Sequence, residues 1–169
     1  MSSSRQWATA VDVLQRMRTI CGFTPHLFAV NSVINALGRA GRWEQSLQTL
    51  EEMKDWGLQP DLVSFNTAIA SCVPARQWER ALDLLSQAKA MGITGNTITY
   101  NSAISACGAS REWRAALELL KEMRAAGIPP NLRTYGAVVM ACKVSRHWDG
   151  VSEIFDAMIQ DGIPPDETI

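Results

Sequence analysis

The sequence is poor in the residues from which catalytic and metal sites are built. It has two histidines and four cysteines among 169 residues. His26 and His147 are isolated, no CxxC pair is present, and no cysteine–histidine cluster has the spacing of a zinc site. The phosphate-binding GxxxxGK(S/T) and nucleophile G-x-S-x-G patterns are missing as well. We therefore predict a protein that is not an enzyme and holds no cofactor or metal ion.

Long apolar runs and an excess of charge are also absent. No apolar stretch approaches the roughly 20 residues that span a bilayer, so we expect no membrane insertion. The first residues lack the apolar core of a secretory signal and leave little room for a transit peptide. The net charge is −1 and the pI is near 6.1, whereas proteins that bind nucleic acid usually carry a basic excess. Binding to a polyanion must therefore depend on where the charges lie.

The cysteines do not suggest a disulfide framework. Cys72, Cys107 and Cys142 are evenly spaced along the chain, and Cys21 lies outside that series. Neighbouring helices in a stack lie about 8–10 Å apart, but a disulfide needs Cα atoms within about 7 Å of each other. We predict that the three evenly spaced cysteines are buried free thiols.

What the sequence does have is a period of 35 residues. It is marked by four tryptophans and by columns of glycine and of leucine or isoleucine: Trp43, Trp78, Trp113, Trp148; Gly57, Gly92, Gly127, Gly162; Leu58, Ile93, Ile128, Ile163. A fixed period in this range is typical of a solenoid, in which one supersecondary unit is stacked several times. We expect each tryptophan to pack between the first helix of its own unit and the next unit.

The period divides the chain into four units, 27–61, 62–96, 97–131 and 132–166, with a partial unit at 1–26 and the start of another at 167–169. Apolar residues recur at helical spacing in both halves of each unit, and no segment alternates as a half-buried strand does. A glycine such as Gly127 is suited to close the second helix, and Pro129 prevents its continuation. We predict an all-α, right-handed solenoid of stacked antiparallel helix pairs.

This pattern resembles the pentatricopeptide repeat family over nearly the whole chain. The resemblance rests on the period, on Ser64-Phe65-Asn66-Thr67 and Thr99-Tyr100-Asn101-Ser102 at the start of first helices, and on the closing segments 53–61 and 123–131. The related tetratricopeptide family, which mostly binds peptides, has a 34-residue period and a W-x₂-L-G-x₂-Y pattern that is absent here. The resemblance implies single-stranded RNA binding in mitochondria or chloroplasts, for RNA processing, stabilisation or translation, with one base per repeat.

The resemblance also assigns roles to particular positions of each unit. The fifth and last residues read the base edge, which gives the pairs Asn31 with Asp61, Asn66 with Asn96, Asn101 with Asn131, and Gly136 with Asp166. The second residue packs against the base, which gives Phe28, Val63, Ile98 and Arg133. The family's code implies uracil at the first unit, pyrimidines with cytosine preferred at the next two, and any base at the fourth, because glycine has no side chain to read with.

The chemistry of these residues agrees with that assignment without reference to a family. An asparagine side chain offers a donor and an acceptor, so it can complement a base edge. Alternatively, the asparagines are solvated residues that duplicated units share. The last residues of the units are also suited to cap the next helix. Basic residues near the turn between the helices are candidates for phosphate contacts: Arg39, Arg42, Arg76, Arg111, Lys143 and Arg146.

A second hypothesis is that the solenoid is a structural subunit. In that case it contacts other proteins of an organellar ribonucleoprotein complex, such as a mitochondrial ribosome, and reads no base. The near-neutral charge and Gly136 favour this hypothesis. The two hypotheses differ in what happens when Asn66 and Asn101 are replaced, since only base reading depends on them.

Overall fold

In the computed structural model, the described residues are 25–164 together with Thr9, Val11, Asp12, Leu14 and Arg16. Residues 25–164 form eight α-helices and no strand, and the five earlier residues are helical too. This confirms the predicted all-α helical repeat solenoid. Within the same part of the chain, no helix is both long enough and apolar enough to cross a bilayer.

The eight helices form four antiparallel pairs, which we call units one to four. Their bounds are α1 Leu27–Arg39 and α2 Trp43–Asp55, α3 Leu62–Cys72 and α4 Trp78–Ala90, α5 Thr97–Ser110 and α6 Trp113–Ala125, and α7 Leu132–Val144 and α8 Asp149–Gln160. Two residues after the end of each second helix there is a glycine in the left-handed conformation, such as Gly127 with φ +69°. Glycine adopts this conformation without steric cost, so it turns the chain into the next unit.

Three of the odd-numbered helices begin with a capping box. The side chains of Asp61, Asn96 and Asn131 accept a hydrogen bond from the backbone N–H three residues on, and Ser64, Thr99 and Thr134 accept one in return. Two backbone donors are satisfied at each helix start in this way. The predicted capping role of these last-position residues is confirmed. His26, which precedes α1, makes no such bond.

The helices lie in two layers. Each odd-numbered helix packs on the next odd-numbered helix, whereas no two even-numbered helices bring their Cα atoms into contact in the part of the chain described. The odd-numbered helices therefore form the inner layer of a curved stack, and the even-numbered helices form the outer layer. Side chains join the outer helices across the gap, in the ion pairs Lys89–Glu122 and Arg124–Asp161.

The core runs between the layers and contains the evenly spaced cysteines. Cys72, Cys107 and Cys142 are buried and free, as predicted. Burial raises the pKa of Cys107 to about 12 and that of Cys72 to about 11. These thiols are therefore neutral and unreactive at physiological pH.

The predicted packing is found for some of the tryptophans and not for others. Trp78 and Trp113 are half-buried against the core, and the Trp113 ring stacks on His147 of the next unit, with 3.5 Å between ring centroids. The prediction is wrong for Trp148, which is 61% exposed. The reason is that α8 begins at Asp149, and within the described residues no later unit covers the Trp148 ring as His147 covers that of Trp113.

Candidate functional site

An exposed apolar side chain stands at the second position of each of the first three units. Phe28 is 83% exposed, Val63 is 55% exposed and Ile98 is 62% exposed. Single exposed apolar residues are common on protein surfaces, but their recurrence at one structural position makes this face a candidate interaction surface. In unit four this position is taken by Arg133, which is also exposed. All four predicted base-packing residues thus lie on the surface, in the first turn of an inner helix.

The predicted reading pair of unit one is brought together. The Asn31 Nδ2 group donates to Asp61 Oδ1 at 3.2 Å, and the Ser64 hydroxyl donates to Asn31 Oδ1 at 2.7 Å. Burial acts to raise the pKa of Asp61, but hydrogen bonds from Ser64 and Asn31 outweigh it, so the pKa lies below its ordinary value. Asp61 is therefore a charged acceptor at neutral pH.

The reading pair of unit three has the same arrangement with an amide in place of the carboxylate. Asn131 Oδ1 accepts from the backbone N–H of Thr134 at 3.0 Å and from Asn101 Nδ2 at 3.4 Å. Because the capping bond fixes the oxygen of Asn131, Asn101 turns its amino group towards it. The Oδ1 atom of Asn101 is buried and has no hydrogen-bond partner in the described part of the chain. An unpaired buried acceptor is uncommon and is costly in a folded protein.

The pair of unit two is joined indirectly. The Thr99 hydroxyl donates to Asn66 Oδ1 at 2.5 Å and accepts from the Asn96 backbone N–H at 3.0 Å. The Asn66 amino group forms no hydrogen bond with any described residue. The same kind of residue takes part in all three pairs. It is the third residue of the next unit, and its hydroxyl bonds to the reading pair of the unit before it: Ser64, Thr99 or Thr134. These hydroxyls are not among the residues predicted from the sequence, although their period of 35 residues is a usable signal.

The fourth unit lacks a comparable pair. Gly136 is half-buried at the fifth position of α7, and Asp166 lies outside the described residues. The surface of this unit is more apolar, because Met140 is 54% exposed and Val144 is 38% exposed on the same helix.

Charge is divided between the two layers. The inner helices α1, α3, α5 and α7 contain no aspartate or glutamate, whereas exposed acids such as Glu44, Glu79 and Glu118 lie on the outer helices. The acids of the second helices therefore lie in the layer away from the reading asparagines. The inner layer suits an anionic ligand even though the net charge of the chain is −1.

The six predicted phosphate contacts are all exposed at or near the turn between the two helices of a unit. Three of them share an unusual backbone. Arg76, Arg111 and Arg146 have φ values of +56°, +67° and +56°, and the aligned residue of unit one is Gly41 with φ +74°. Nothing in the local sequence around these arginines indicates that conformation. No group of three or more potential metal ligands occurs among the described residues.

Comparison with known proteins agrees with this architecture. The sequence profile of the PPR repeat family matches residues 25–73, 60–109 and 95–143, and that of the PPR repeat matches residues 133–163. No curated protein matches the sequence.

Solved structures with the same fold include PPR proteins bound to RNA. The pentatricopeptide repeat protein PPR10 in complex with an 18-nucleotide psaJ RNA element matches with a TM-score of 0.83 and 25% identity, over 98% of this chain and 24% of that chain. PPR10 from maize matches with a TM-score of 0.69 and 22% identity, over 96% of this chain and 28% of that one. The PPR domain of protein-only RNase P 1 from Arabidopsis thaliana, in complex with tRNA, matches with a TM-score of 0.81 and 16% identity, over 99% and 89%. The chain belongs to the pentatricopeptide repeat family.

Proposed function

We propose that the protein binds single-stranded RNA along the inner layer of its solenoid and reads about one base per unit. One observation carries this proposal: an exposed apolar side chain lies three residues from a hydrogen-bonded asparagine in each of the first three units, on helices that contain no aspartate or glutamate. Residues three apart lie on one helix face, so the two can contact the same base. The similarity to PPR10 in complex with RNA supports the proposal.

The proposed base preferences follow from which groups each pair offers. Asp61 is a carboxylate, which only accepts, so it suits the N3–H donor of uracil. Asn96 and Asn131 have amides that both donate and accept, so they tolerate the N3 acceptor of cytosine as well as uracil. Gly136 offers no group. We therefore propose a target core of U, then two pyrimidines, then any base. The preference for C over U at the two middle positions is what the resemblance to the family implies.

The experiment that tests this proposal compares RNA binding by the wild-type chain and by the Asn66→Ala/Asn101→Ala variant. Fluorescence anisotropy with a UCC-containing single strand and a purine-rich strand gives the ratio of the two affinities. We expect the wild type to prefer the UCC strand and the variant to lose most of that preference. Equal binding of both strands by the wild type, or binding of neither, contradicts base reading.

We propose no catalytic activity for this chain, so that RNA processing would require a partner enzyme. Family resemblance favours mitochondria or chloroplasts as the place of action.

A structural role within an organellar complex remains the second candidate because of unit four. Exposed Met140, Val144 and Trp148 make its surface apolar where a reading side chain is missing. If this role is the main one, the Asn66→Ala/Asn101→Ala variant assembles with its protein partners like the wild type, and charged residues introduced on the apolar surface prevent assembly.

A further inference from the structure

Three arginines occupy a backbone position that favours glycine. Arg76, Arg111 and Arg146 follow the first helices of units two, three and four with φ between +56° and +67°. Non-glycine residues are uncommon in this left-handed region, where asparagine, aspartate and histidine are enriched several-fold and arginine is not. Unit one makes the same turn with Gly41. The turn itself therefore does not require an arginine.

Contacts with neighbouring residues hold the strained turns in place. The Ser110 hydroxyl donates to the carbonyl oxygen of Arg76 at 2.8 Å, and the Ser145 hydroxyl donates to that of Arg111 at 2.7 Å. Each bond joins one unit to the next. Strain that the surrounding structure maintains, at a position where glycine would avoid it, points to a role for the side chain.

The three guanidinium groups are available for a ligand. The side chains are exposed and form no ion pair or hydrogen bond with any residue that the structure describes. Because inner helices stack about 8–10 Å apart, the arginines form a row with one member per unit. The row lies ten residues after the fifth position, which is about 15 Å along the helix axis. It therefore runs parallel to the column of Asn66, Asn101 and Gly136, at the other end of helices that contain no aspartate or glutamate.

We propose that Arg76, Arg111 and Arg146 form a phosphate-binding row that holds the RNA strand without regard to its base sequence. This inference rests on the proposed function and narrows it. Arginine binds phosphate through paired N–H donors, and one arginine per unit has the same register as one base per unit. The other three predicted phosphate contacts have no such recurrence: the residues aligned with Arg39 are Pro74, Ala109 and Val144, and those aligned with Arg42 are Gln77, Glu112 and His147.

The test is the variant R76G/R111G/R146G of the full chain. Glycine suits the left-handed turn, so we expect a melting temperature equal to or above that of the wild type. We expect affinity for a UCC-containing strand and for a purine-rich strand to fall by similar factors. The slope of log Kobs against log salt concentration should become less negative by about 2, because each phosphate contact on a single strand contributes about 0.7.

A matched control removes three positive charges from the outer layer, with the substitutions Lys54→Gln, Arg80→Gln and Lys121→Gln. We expect the salt slope of this control to stay close to that of the wild type. If the glycine variant folds and its affinity and slope equal those of the control, the phosphate row is wrong. If the triple variant is unstable, the single variant R111G tests the phosphate row instead, with an expected slope change of about 0.7.

The result also separates this inference from the proposed function. A wild type that binds no single-stranded RNA contradicts both. A wild type that prefers the UCC strand, together with a glycine variant of unchanged salt slope, contradicts only the phosphate row.

Discussion

In unit three the buried Tyr100 donates its hydroxyl to Glu122, which pairs with Lys89 of the preceding unit. In unit four the buried Tyr135 donates to Asp161, which pairs with Arg124 of the preceding unit. The two acids come from different positions of their units, yet they make the same link. On the inner surface the units differ, because unit three presents Asn101 and unit four presents Gly136. The interior is thus maintained while the surface varies independently of it.

The largest effect that we expect comes from removing the shared interior. Tyr100→Ala and Tyr135→Ala should each lower the free energy of unfolding by about 3–5 kcal/mol, as is usual when a buried aromatic side chain is truncated. Urea denaturation followed by circular dichroism measures both. Tyr100→Phe and Tyr135→Phe serve as controls that lose only the hydroxyl, at about 1 kcal/mol each. A Tyr135→Ala variant as stable as its phenylalanine control would show that the two interiors are not equivalent.

Units three and four also differ in how deeply their tryptophans are buried. Trp113→Gln removes a half-buried ring stacked on His147, and we expect a loss of about 2 kcal/mol. Trp148→Gln changes an exposed ring and should alter stability by less than about 0.5 kcal/mol. Thermal unfolding of the two variants measures this difference, and equal losses would contradict it.

Unit four can be given the reading residue that it lacks. Under the proposed function, Gly136→Asn should create a preference for uracil at the fourth base, worth about 1 kcal/mol or roughly five-fold in affinity. The measurement uses strands that differ only at that base, with Gly136→Ala as the control for a changed helix. A preference that also arises in the alanine variant would not come from an amide.

The smallest effect concerns pH and the link in unit three. Burial acts to raise the pKa of Glu122, but hydrogen bonds from Lys89 and Tyr100 outweigh it and leave the pKa below its ordinary value. The stabilisation is therefore present above the unfolded-state pKa and is lost as pH falls through the lower folded-state value. Because the pair is partly exposed, we expect less than about 1 kcal/mol.

Melting temperatures of the wild type and Glu122→Gln between pH 7 and pH 3 check this expectation. The difference between the two proteins should shrink as pH falls, since protonated Glu122 is neutral like glutamine. A difference that stays constant with pH would show that the charge of Glu122 does not stabilise the fold.

Much of this architecture follows from the sequence because the period aligns equivalent residues. The alignment predicts the helix pairs and the capping residues Asp61 and Asn131. Capping depends on short-range chemistry, which is readable from residue type. Exposure at the second position does not follow from hydrophobicity and comes only from the family resemblance.

Other features depend on contacts that a sequence does not contain. The exposure of Trp148 depends on what packs against α8, and the link between Asn66 and Asn96 depends on the orientation of the Thr99 hydroxyl. The left-handed backbone of Arg111 is visible only through its alignment with Gly41. Arginine gives no local signal for that conformation.

The capping boxes limit how such a protein can diversify. Asp61, Asn96 and Asn131 each cap the first helix of the next unit and, under the proposed function, face a base together with the fifth residue of their own unit. Short side chains with an acceptor oxygen start a helix best, and replacing one of them by alanine costs about 0.5–2 kcal/mol. Helix initiation therefore favours asparagine, aspartate, serine and threonine at this position. Under the proposed function, a change of base preference made with any larger residue also weakens the start of the next helix.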